Sequence, residues 1–142
     1  MERGLSVMAD STNGEIKHLI VWGREFDLEI LYEEYEGEDR TLAQSIALQE
    51  LLARWAVVDA SLDRVIRFCE DEYPKMLETI SGNRVIDNIF RFVMPESLFV
   101  LRREDVRAVE LLCRSRLDPE HGLSVYFENE SLAGIGTGSS IF

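Results

Sequence analysis

Hydrophobic and polar positions alternate in the first and last parts of the chain, whereas a helical repeat dominates the middle. Between Phe26 and Tyr32 apolar side chains occupy every second position, which is the pattern of a half-buried strand. A short apolar run at residues 18–22 precedes this segment, and Gly23 lies in the turn between them. The two runs together predict a β-hairpin.

Helical periodicity begins near Thr41, which is followed three residues later by Gln44 in the spacing of a capping box. A second apolar stripe at helical spacing covers residues 62–73. We expect Pro74 to end or kink that helix, because proline lacks a backbone donor. The pattern predicts two amphipathic helices, with one further turn at residues 75–80.

β-branched and aromatic residues return after residue 83 and predict five more strands. Their predicted ranges are 84–94, 97–102, 109–117, 123–128 and 132–135. We expect Pro95 to end the first of them. The predicted order is β-β-α-α-β-β-β-β-β. Strands that are separated from helices along the chain favour an α+β fold with a mostly antiparallel sheet and two helices packed on one face.

The chain has 142 residues, which is the size of one domain. Residues 1–15 contain no apolar run of the length that a secretory signal needs, and we expect them to form a disordered leader. Residues 16–142 then form a single α+β domain. No stretch approaches membrane-spanning length. These features favour a cytoplasmic protein with no membrane partner.

Acidic residues outnumber basic ones by 27 to 15, which gives a formal net charge of −12. This balance argues against a nucleic-acid partner, because phosphate binding needs a basic surface. It favours encounter with a basic protein. The candidate binding carboxylates lie between the hairpin and the end of the second helix, and they are Glu29, Glu33, Glu34, Glu36, Glu38, Asp39, Glu70, Asp71 and Glu72. The simpler interpretation of the same residues is a solvated acidic face.

Residues 118–122, with the sequence DPEHG, lie between two predicted strands. Proline and glycine this close together are typical of a turn, and Asp118 can accept hydrogen bonds from the turn's amides. The alternative is a metal or acid–base site formed by Asp118, Glu120 and His121. A divalent ion normally takes ligands from more than one segment, and the only other histidine is His18. The favoured interpretation is therefore a structural turn whose histidine packs on the sheet.

The remaining sequence features do not indicate a catalytic or cofactor site. The glycine-rich tail, residues 134–140, has no helix after it that could offer its N-terminus to a phosphate. Neither a G-x-S-x-G elbow nor a C-x-x-C pair is present, and Cys69 and Cys113 are predicted to be buried free thiols. We expect no cofactor, and we favour a protein that is not an enzyme.

The end of the chain resembles a group of uncharacterised bacterial domains, whose last hairpin carries Asp-x-Glu-His-Gly before a strand and an Ile-Gly pair. The matching positions here are Leu117, Asp118, Glu120, His121, Gly122, Leu123, Ile135 and Gly136. Earlier matching positions are Trp22, Gly23, Thr41, Gln44, Tyr73 and Pro74. In that group a Gln-Asp pair often follows the Ile-Gly-Thr, and here Gly138-Ser139 stands in its place. Some members look like immunity proteins that neutralise a secreted toxin, and the resemblance implies such a role.

The sequence leaves three functional hypotheses open. The leading hypothesis is a non-catalytic acidic module that binds a basic protein, with an immunity protein against a basic toxin as its specific form. The second is a metal-binding protein or enzyme centred on Asp118, Glu120 and His121. The third is a ligand-free housekeeping protein that forms a homodimer or another homo-oligomer.

Overall fold

The computed structural model describes residues 15–138 as two strands, four α-helices and four further strands. The strands are β1 (Ile16–Val21), β2 (Arg24–Tyr32), β3 (Val93–Val100), β4 (Ala108–Ser115), β5 (Leu123–Glu128) and β6 (Ser131–Gly136). The helices are α1 (Leu42–Ala53), α2 (Ala56–Asp59), α3 (Leu62–Glu72) and α4 (Pro74–Ser81), and a short 3-10 helix (Ile89–Arg91) precedes β3. The predicted disordered leader lies outside the described residues, except for its last residue.

The strands form one sheet in the order of the chain, from β1 at one edge to β6 at the other. Every neighbouring pair is antiparallel except β2 and β3, which run parallel. A parallel pair needs a crossover connection, and the helices supply it. The fold is therefore α+β with a mostly antiparallel sheet, as predicted.

The strand pairing defines two ends of the sheet. The upper end is where β2 and β3 both finish, with Tyr32 paired to Val100. The lower end is where β3 begins and β4 finishes, with Val93 paired to Ser115. The connection between β4 and β5 therefore lies at the lower end.

The turn between β1 and β2 consists of Trp22 and Gly23, both with positive φ angles of 55° and 85°. A two-residue turn of this kind matches the twist of the strands that it joins. Trp22 is buried, its backbone N–H donates to Asp59 at 2.6 Å, and its indole N–H donates to Ser61 at 3.1 Å. These bonds attach the hairpin to the helices.

The predicted capping box starts α1. The Thr41 hydroxyl accepts the backbone N–H of Gln44 at 3.1 Å, and the Gln44 side chain accepts the backbone N–H of Thr41 at 2.8 Å. The amide nitrogen of Gln44 also donates to the carbonyls of Glu33 and Val100. Gln44 is fully buried, so this one side chain joins α1 to the upper end of the sheet.

The second predicted helix is confirmed as α3, which buries Val65 and Cys69. It ends where proline was expected to end it, since Tyr73 follows α3 and Pro74 is the first residue of α4. The predicted further turn is a full helix, α4, which Gly82 ends at a φ of 87°. The short helix α2 occupies a segment that was not predicted to be helical. The prediction of two helices is thus corrected to four helical segments.

The prediction of a strand at residues 84–94 that stops at Pro95 is wrong. Residues 84–92 contain the 3-10 helix, and β3 runs through Pro95 with a register shift between Pro95 and Ser97. Pairing with β2 begins only at Ser97, so Pro95 lies where β3 has one neighbouring strand instead of two. Proline is tolerated at such edge and bulge positions. The two strands predicted here are therefore one strand, and the sheet of the described residues has six strands.

The main core lies between the helices and one face of the sheet. Its fully buried side chains include Leu51, Leu77, Leu28, Leu98, Leu111 and Phe127. The short helix α2 contacts both edge strands, β1 and β6. Six strands spaced by about 4.8 Å would make a flat sheet roughly 24 Å wide, too wide for one turn of helix to reach both edges. The sheet is therefore curved around its helices. No helix within residues 15–138 has the length and apolar character to cross a membrane.

Candidate functional site

The carboxylates predicted to form one binding surface lie at opposite ends of the sheet. The acidic loop, residues 33–40, leaves the upper end after β2. The carboxylates at residues 70–72 end α3 at the lower end, where the Tyr73 hydroxyl donates to Asp118 at 3.3 Å. The strand that separates them, β3, has 8 residues and is roughly 25 Å long. A single partner contact that used both groups would have to span about one strand length, and binding by either group stays a prediction.

Arg102 holds the acidic loop against the sheet. Its guanidinium group pairs with Glu38 and donates to the carbonyl of Asp39 at 3.1 Å, and its backbone N–H donates to Glu33 at 2.8 Å. The same guanidinium lies 4.6 Å from the ring centre of Tyr35. These contacts fix the loop conformation and compensate part of its charge.

The other carboxylates of the acidic loop face solvent. The side chains of Glu34, Glu36 and Asp39 are exposed and make no hydrogen bond or ion pair with the described part of the chain. Leu42 and Ile46 follow on α1, one helical turn apart, and are 76% and 41% exposed. The upper end thus combines three uncompensated carboxylates with two exposed apolar side chains on one helix face.

The second predicted group and Glu29 differ from the loop in their surroundings. Glu70 is used internally, because its carboxylate accepts the backbone N–H of Ile86 at 2.8 Å. Asp71 and Glu72 are exposed, whereas Glu29 is half-buried in the middle of β2. Two freely available carboxylates therefore remain at the lower end.

The Asp-x-Glu-His-Gly sequence forms the turn between β4 and β5. The Asp118 carboxylate accepts the backbone N–H of His121 at 3.3 Å and contacts its ring Nδ1 at 3.1 Å. Its other oxygen accepts the Tyr73 hydroxyl, and the Asp118 carbonyl accepts the N–H of Gly122 at 2.8 Å. Burial and the nearby Asp118 raise the pKa of Tyr73 to about 12, so this hydroxyl remains a donor. The turn therefore joins the sheet to the junction of α3 and α4.

This turn does not gather a metal site. Among residues 15–138 no group of three or more His, Cys, Asp or Glu side chains could hold a metal ion. The side chain of Glu120 is 86% exposed, and its carboxylate lies 3.8 Å from His121 Nε2. The expectation that His121 packs on the sheet is wrong, because the ring is 62% exposed and bonds Asp118.

A cleft of about 660 Å³ opens at the lower end of the sheet, and the sequence had not predicted it. Its walls come from α4, the 3-10 helix, the start of β3, the end of β4 and the turn residue Pro119. The apolar lining residues are Met76, Ile80, Phe90, Phe92, Val93, Met94 and Pro119. This volume lies within the range of small-molecule sites in proteins.

Three arginines line the same cleft, and none of its lining residues within 15–138 is Asp or Glu. Arg114 pairs with Glu96 at 2.5 Å and Arg91 with Asp87 at 3.5 Å, and both pairs are largely exposed. Arg116 donates to the Arg91 carbonyl at 3.0 Å and has no carboxylate partner in the described chain. The cleft is thus a basic and apolar site in a strongly acidic protein.

Only a weak trace of this cleft exists in the sequence. Arg114 and Arg116 are two residues apart near the end of a predicted strand, so their side chains are expected on the same face of it. This spacing indicates a positively charged strand end. Arg91 and the apolar residues of α4 come close to these two arginines only because the helical crossover brings β3 back beside β2. This parallel strand pairing is visible in the structure and not in the sequence. Periodicity therefore could not have assembled the cleft.

Cys69, Cys113 and Glu110 are buried side chains of the types that can act as nucleophile or acid–base groups in enzymes. Both thiols are free and buried, as predicted, and burial raises the pKa of Cys69 to about 12 and that of Cys113 as well. Neither is a nucleophilic thiolate at neutral pH. Glu110 is fully buried on the sheet face away from the main core, where burial raises its pKa and the Ser124 hydroxyl donates to it at 2.7 Å. Within residues 15–138 its Oε1 has no hydrogen-bond partner.

His18 forms a small charged cluster on the exposed face of the β1–β2 hairpin. Its ring nitrogens lie 2.7 Å from Asp27 and 2.6 Å from Glu25. These hydrogen bonds raise the pKa of His18, the bond to Asp27 contributing most. Because all three groups are exposed, the cluster is a surface ion pair and not an enclosed site.

Comparison with known proteins adds one match. Neither a curated protein nor a solved structure matches the chain. The family model of a domain of unknown function, DUF6985, matches residues 7–142. Because this match spans nearly the whole sequence, the chain belongs to the DUF6985 family.

Proposed function

We propose that this protein is a non-catalytic module that binds a basic protein through its upper end. The observation that carries the proposal is the loop surface, which we define as Glu34, Glu36, Asp39, Leu42 and Ile46. It places uncompensated carboxylates beside exposed apolar side chains. Protein interfaces combine such elements, with charges that guide encounter and apolar anchors that are buried on binding.

The contacts of Arg102 and Gln44 support this choice of surface. Together they hold the acidic loop to β3 and to the start of α1. A loop that is already ordered loses less conformational entropy on binding than a flexible one. The lower-end carboxylates Asp71 and Glu72 have no comparable exposed apolar neighbours on α3, so they fit a partner less well.

The partner class follows from charge. A net charge of −12 disfavours anionic partners and accelerates association with cationic ones. The resemblance of the last hairpin to immunity-like domains points to a basic secreted toxin as the specific partner. Under that proposal, co-expression of this protein would protect cells from the toxin, and the protein would bind it in equal stoichiometry.

The test compares two triple variants with equal changes in charge. One neutralises the loop surface (Glu34→Gln, Glu36→Gln, Asp39→Asn), and its control neutralises α3 (Asp63→Asn, Asp71→Asn, Glu72→Gln). Each immobilised protein is exposed to its native lysate at low and moderate salt, and the captured proteins are identified by mass spectrometry. We expect one stoichiometric basic protein to bind the wild type and the control, and to be lost from the loop variant and at moderate salt.

The apolar half of the surface has its own variant, Leu42→Ser with Ile46→Ser. It leaves the charge unchanged, so we expect association to remain fast and dissociation of the captured protein to accelerate. Equal capture by the loop variant and its control would refute the proposed surface. Size-exclusion mass at several concentrations tests the homo-oligomer hypothesis, which stays a prediction.

A further inference from the structure

The cleft at the lower end is separated from the loop surface by about the length of one strand. An inference about the cleft is therefore independent of the function proposed above. We propose that it binds a small amphipathic carboxylate, an organic acid with an apolar body. The apolar body would occupy the space between α4 and the start of β3, and the carboxylate would contact the arginines at the rim.

The apolar part of the argument rests on the walls. Met76 and Ile80 line the cleft from α4, and Phe90 and Phe92 line it from the segment before β3. Met76 is 40% exposed, so an apolar side chain remains in contact with water there. An apolar ligand body would remove this surface from water. Methionine adapts its shape to different ligands more readily than branched side chains do.

The walls are also held in place. Phe90 packs against Phe26 and Trp22, with ring centres 5.5 and 6.1 Å apart, and the Arg24 guanidinium lies 4.2 Å from its ring centre. On the opposite side, the bond from Tyr73 to Asp118 attaches the start of α4 to the turn. The Asp-x-Glu-His-Gly turn thus helps to position α4, and it supplies Pro119 to the cleft wall.

The charge argument rests on the lining. Three arginines line the cleft, and no Asp or Glu of residues 15–138 does, although the whole protein carries 27 acidic residues. Arg116 has no carboxylate partner in the described residues, and the partners of Arg91 and Arg114 are exposed, so their bonds cost little to exchange. A ligand carboxylate that accepts two bonds from a guanidinium would replace these weak contacts with a charge-assisted pair of fixed geometry at the rim.

The test uses probes that separate the head from the body. Octanoate and hydrocinnamate carry both parts, octanol carries only the body, and acetate carries only the head. Each is titrated into the ¹⁵N-labelled full chain, and amide shifts are followed by NMR. We expect saturable shifts at residues 90–94 and 114–116 with at least one of the two amphipathic acids, and much weaker shifts with octanol and acetate.

Two single variants probe the rim against a matched control. Arg116→Gln and Arg114→Gln should each raise the dissociation constant by about tenfold, the size of one lost charge-assisted hydrogen bond. Arg84→Gln removes an equally exposed arginine that pairs with Glu78 outside the cleft, and it should leave the constant unchanged. If Arg116→Gln unfolds the chain, Arg114→Gln still decides the question, because within residues 15–138 the Arg114 side chain forms an ion pair only with exposed Glu96.

Three results would overturn the proposal. The first is that neither amphipathic acid gives saturable shifts. The second is that octanol binds as tightly as octanoate. The third is equal binding by the two rim variants and Arg84→Gln. Loss of protein capture by the loop surface would leave all these readouts intact, so the two proposals can fail separately.

Discussion

Gly122 occupies a position where no side chain fits. Its φ of 73° is left-handed, and a Cβ atom added there would lie 2.6 Å from the backbone oxygen of Cys113. Gly37 has a similar φ of 79° but open space around it. The two glycines therefore separate the cost of the backbone conformation from the cost of the close approach, and they explain why the Asp-x-Glu-His-Gly turn ends in glycine.

The first prediction compares alanine at these two positions. Gly37→Ala should lower the free energy of unfolding by about 1 kcal/mol, the cost of a left-handed alanine. Gly122→Ala should lower the free energy of unfolding by about 1–3 kcal/mol more than Gly37→Ala does, because β4 must move away from the new methyl group. Urea denaturation of both variants measures the difference. Equal losses would mean that the backbone of β4 yields freely at Cys113.

Glu110 is the residue whose burial conflicts most with its chemistry. It is fully buried, and one of its carboxylate oxygens has no hydrogen-bond partner in the described part of the chain. Burial raises its pKa, the bond from Ser124 opposes that effect, and Glu33 adds to it. The folded state therefore holds this proton to a higher pH than the unfolded chain does, so folding stability falls as pH rises from about 4.5 through the raised pKa.

The second prediction is that Glu110→Gln removes this pH dependence. The variant keeps the side-chain shape but has no charge to bury, so its stability relative to wild type should increase from pH 5 to pH 8. Urea unfolding at both pH values measures this gain. Glu104→Gln is the control, because Glu104 is exposed and should respond equally at both. The same response from Glu110→Gln would show that the carboxylate reaches water.

At the scale of elements, sequence patterns predicted those parts whose neighbours lie close along the chain. The capping box at Thr41, the end of α3 before Pro74 and the alternation of β2 all depend on contacts within a few residues. The strand prediction failed for the segment before β3. Its aromatic residues are typical of a strand, but Phe90 packs against Phe26 of the β1–β2 hairpin. Such tertiary packing overrides β-propensity and leaves no periodic trace.

Gln44 shows how a local signal can have a distant role. Its capping contact to Thr41 could be read from the spacing, but its bonds to the carbonyls of Glu33 and Val100 could not. These two carbonyls belong to the acidic loop and to the end of β3. The buried amide therefore connects three elements at the upper end.

The third prediction is that Gln44→Ala destabilises the fold by about 2 kcal/mol, because it removes the side-chain half of the capping box and the side-chain donor to the Glu33 carbonyl. The Val100 carbonyl keeps the backbone N–H of Glu33 as a donor at 2.9 Å. Gln49→Ala, on the exposed side of the same helix, should change stability by less than about 0.5 kcal/mol. Thermal and urea unfolding measure both. The amides of residues 33–40 should also exchange faster in Gln44→Ala. A change equal to that of Gln49→Ala would show that water replaces the Gln44 side chain at the Glu33 carbonyl.

At the scale of the molecule, the sequence predicted the class of fold but not which residues come together. Composition and alternation suffice for α+β with a mostly antiparallel sheet. The parallel pairing of β2 with β3 then decides that the acidic loop and the end of α3 lie at opposite ends, and that three arginines meet at one cleft. Pairing depends on contacts far apart along the chain, so hydrophobic periodicity does not contain it.

The whole-molecule charge gives the last prediction. Twelve uncompensated negative charges repel one another in the compact state, whereas most arginine–carboxylate pairs of the described residues are exposed and individually weak. Raising sodium chloride from about 10 mM to about 150 mM shortens the Debye length from about 30 Å to about 8 Å. The added salt screens both the repulsion between the negative charges and the attraction within the ion pairs. Because the repulsion is the larger effect, Tm at pH 7 should rise by about 3 °C. Near the isoelectric point of about 4.6 the net repulsion vanishes, so the same salt step should leave Tm unchanged or lower it slightly. A fall in Tm at pH 7 would instead show that ion pairs, such as the one from Arg102 that holds the acidic loop, outweigh the net charge.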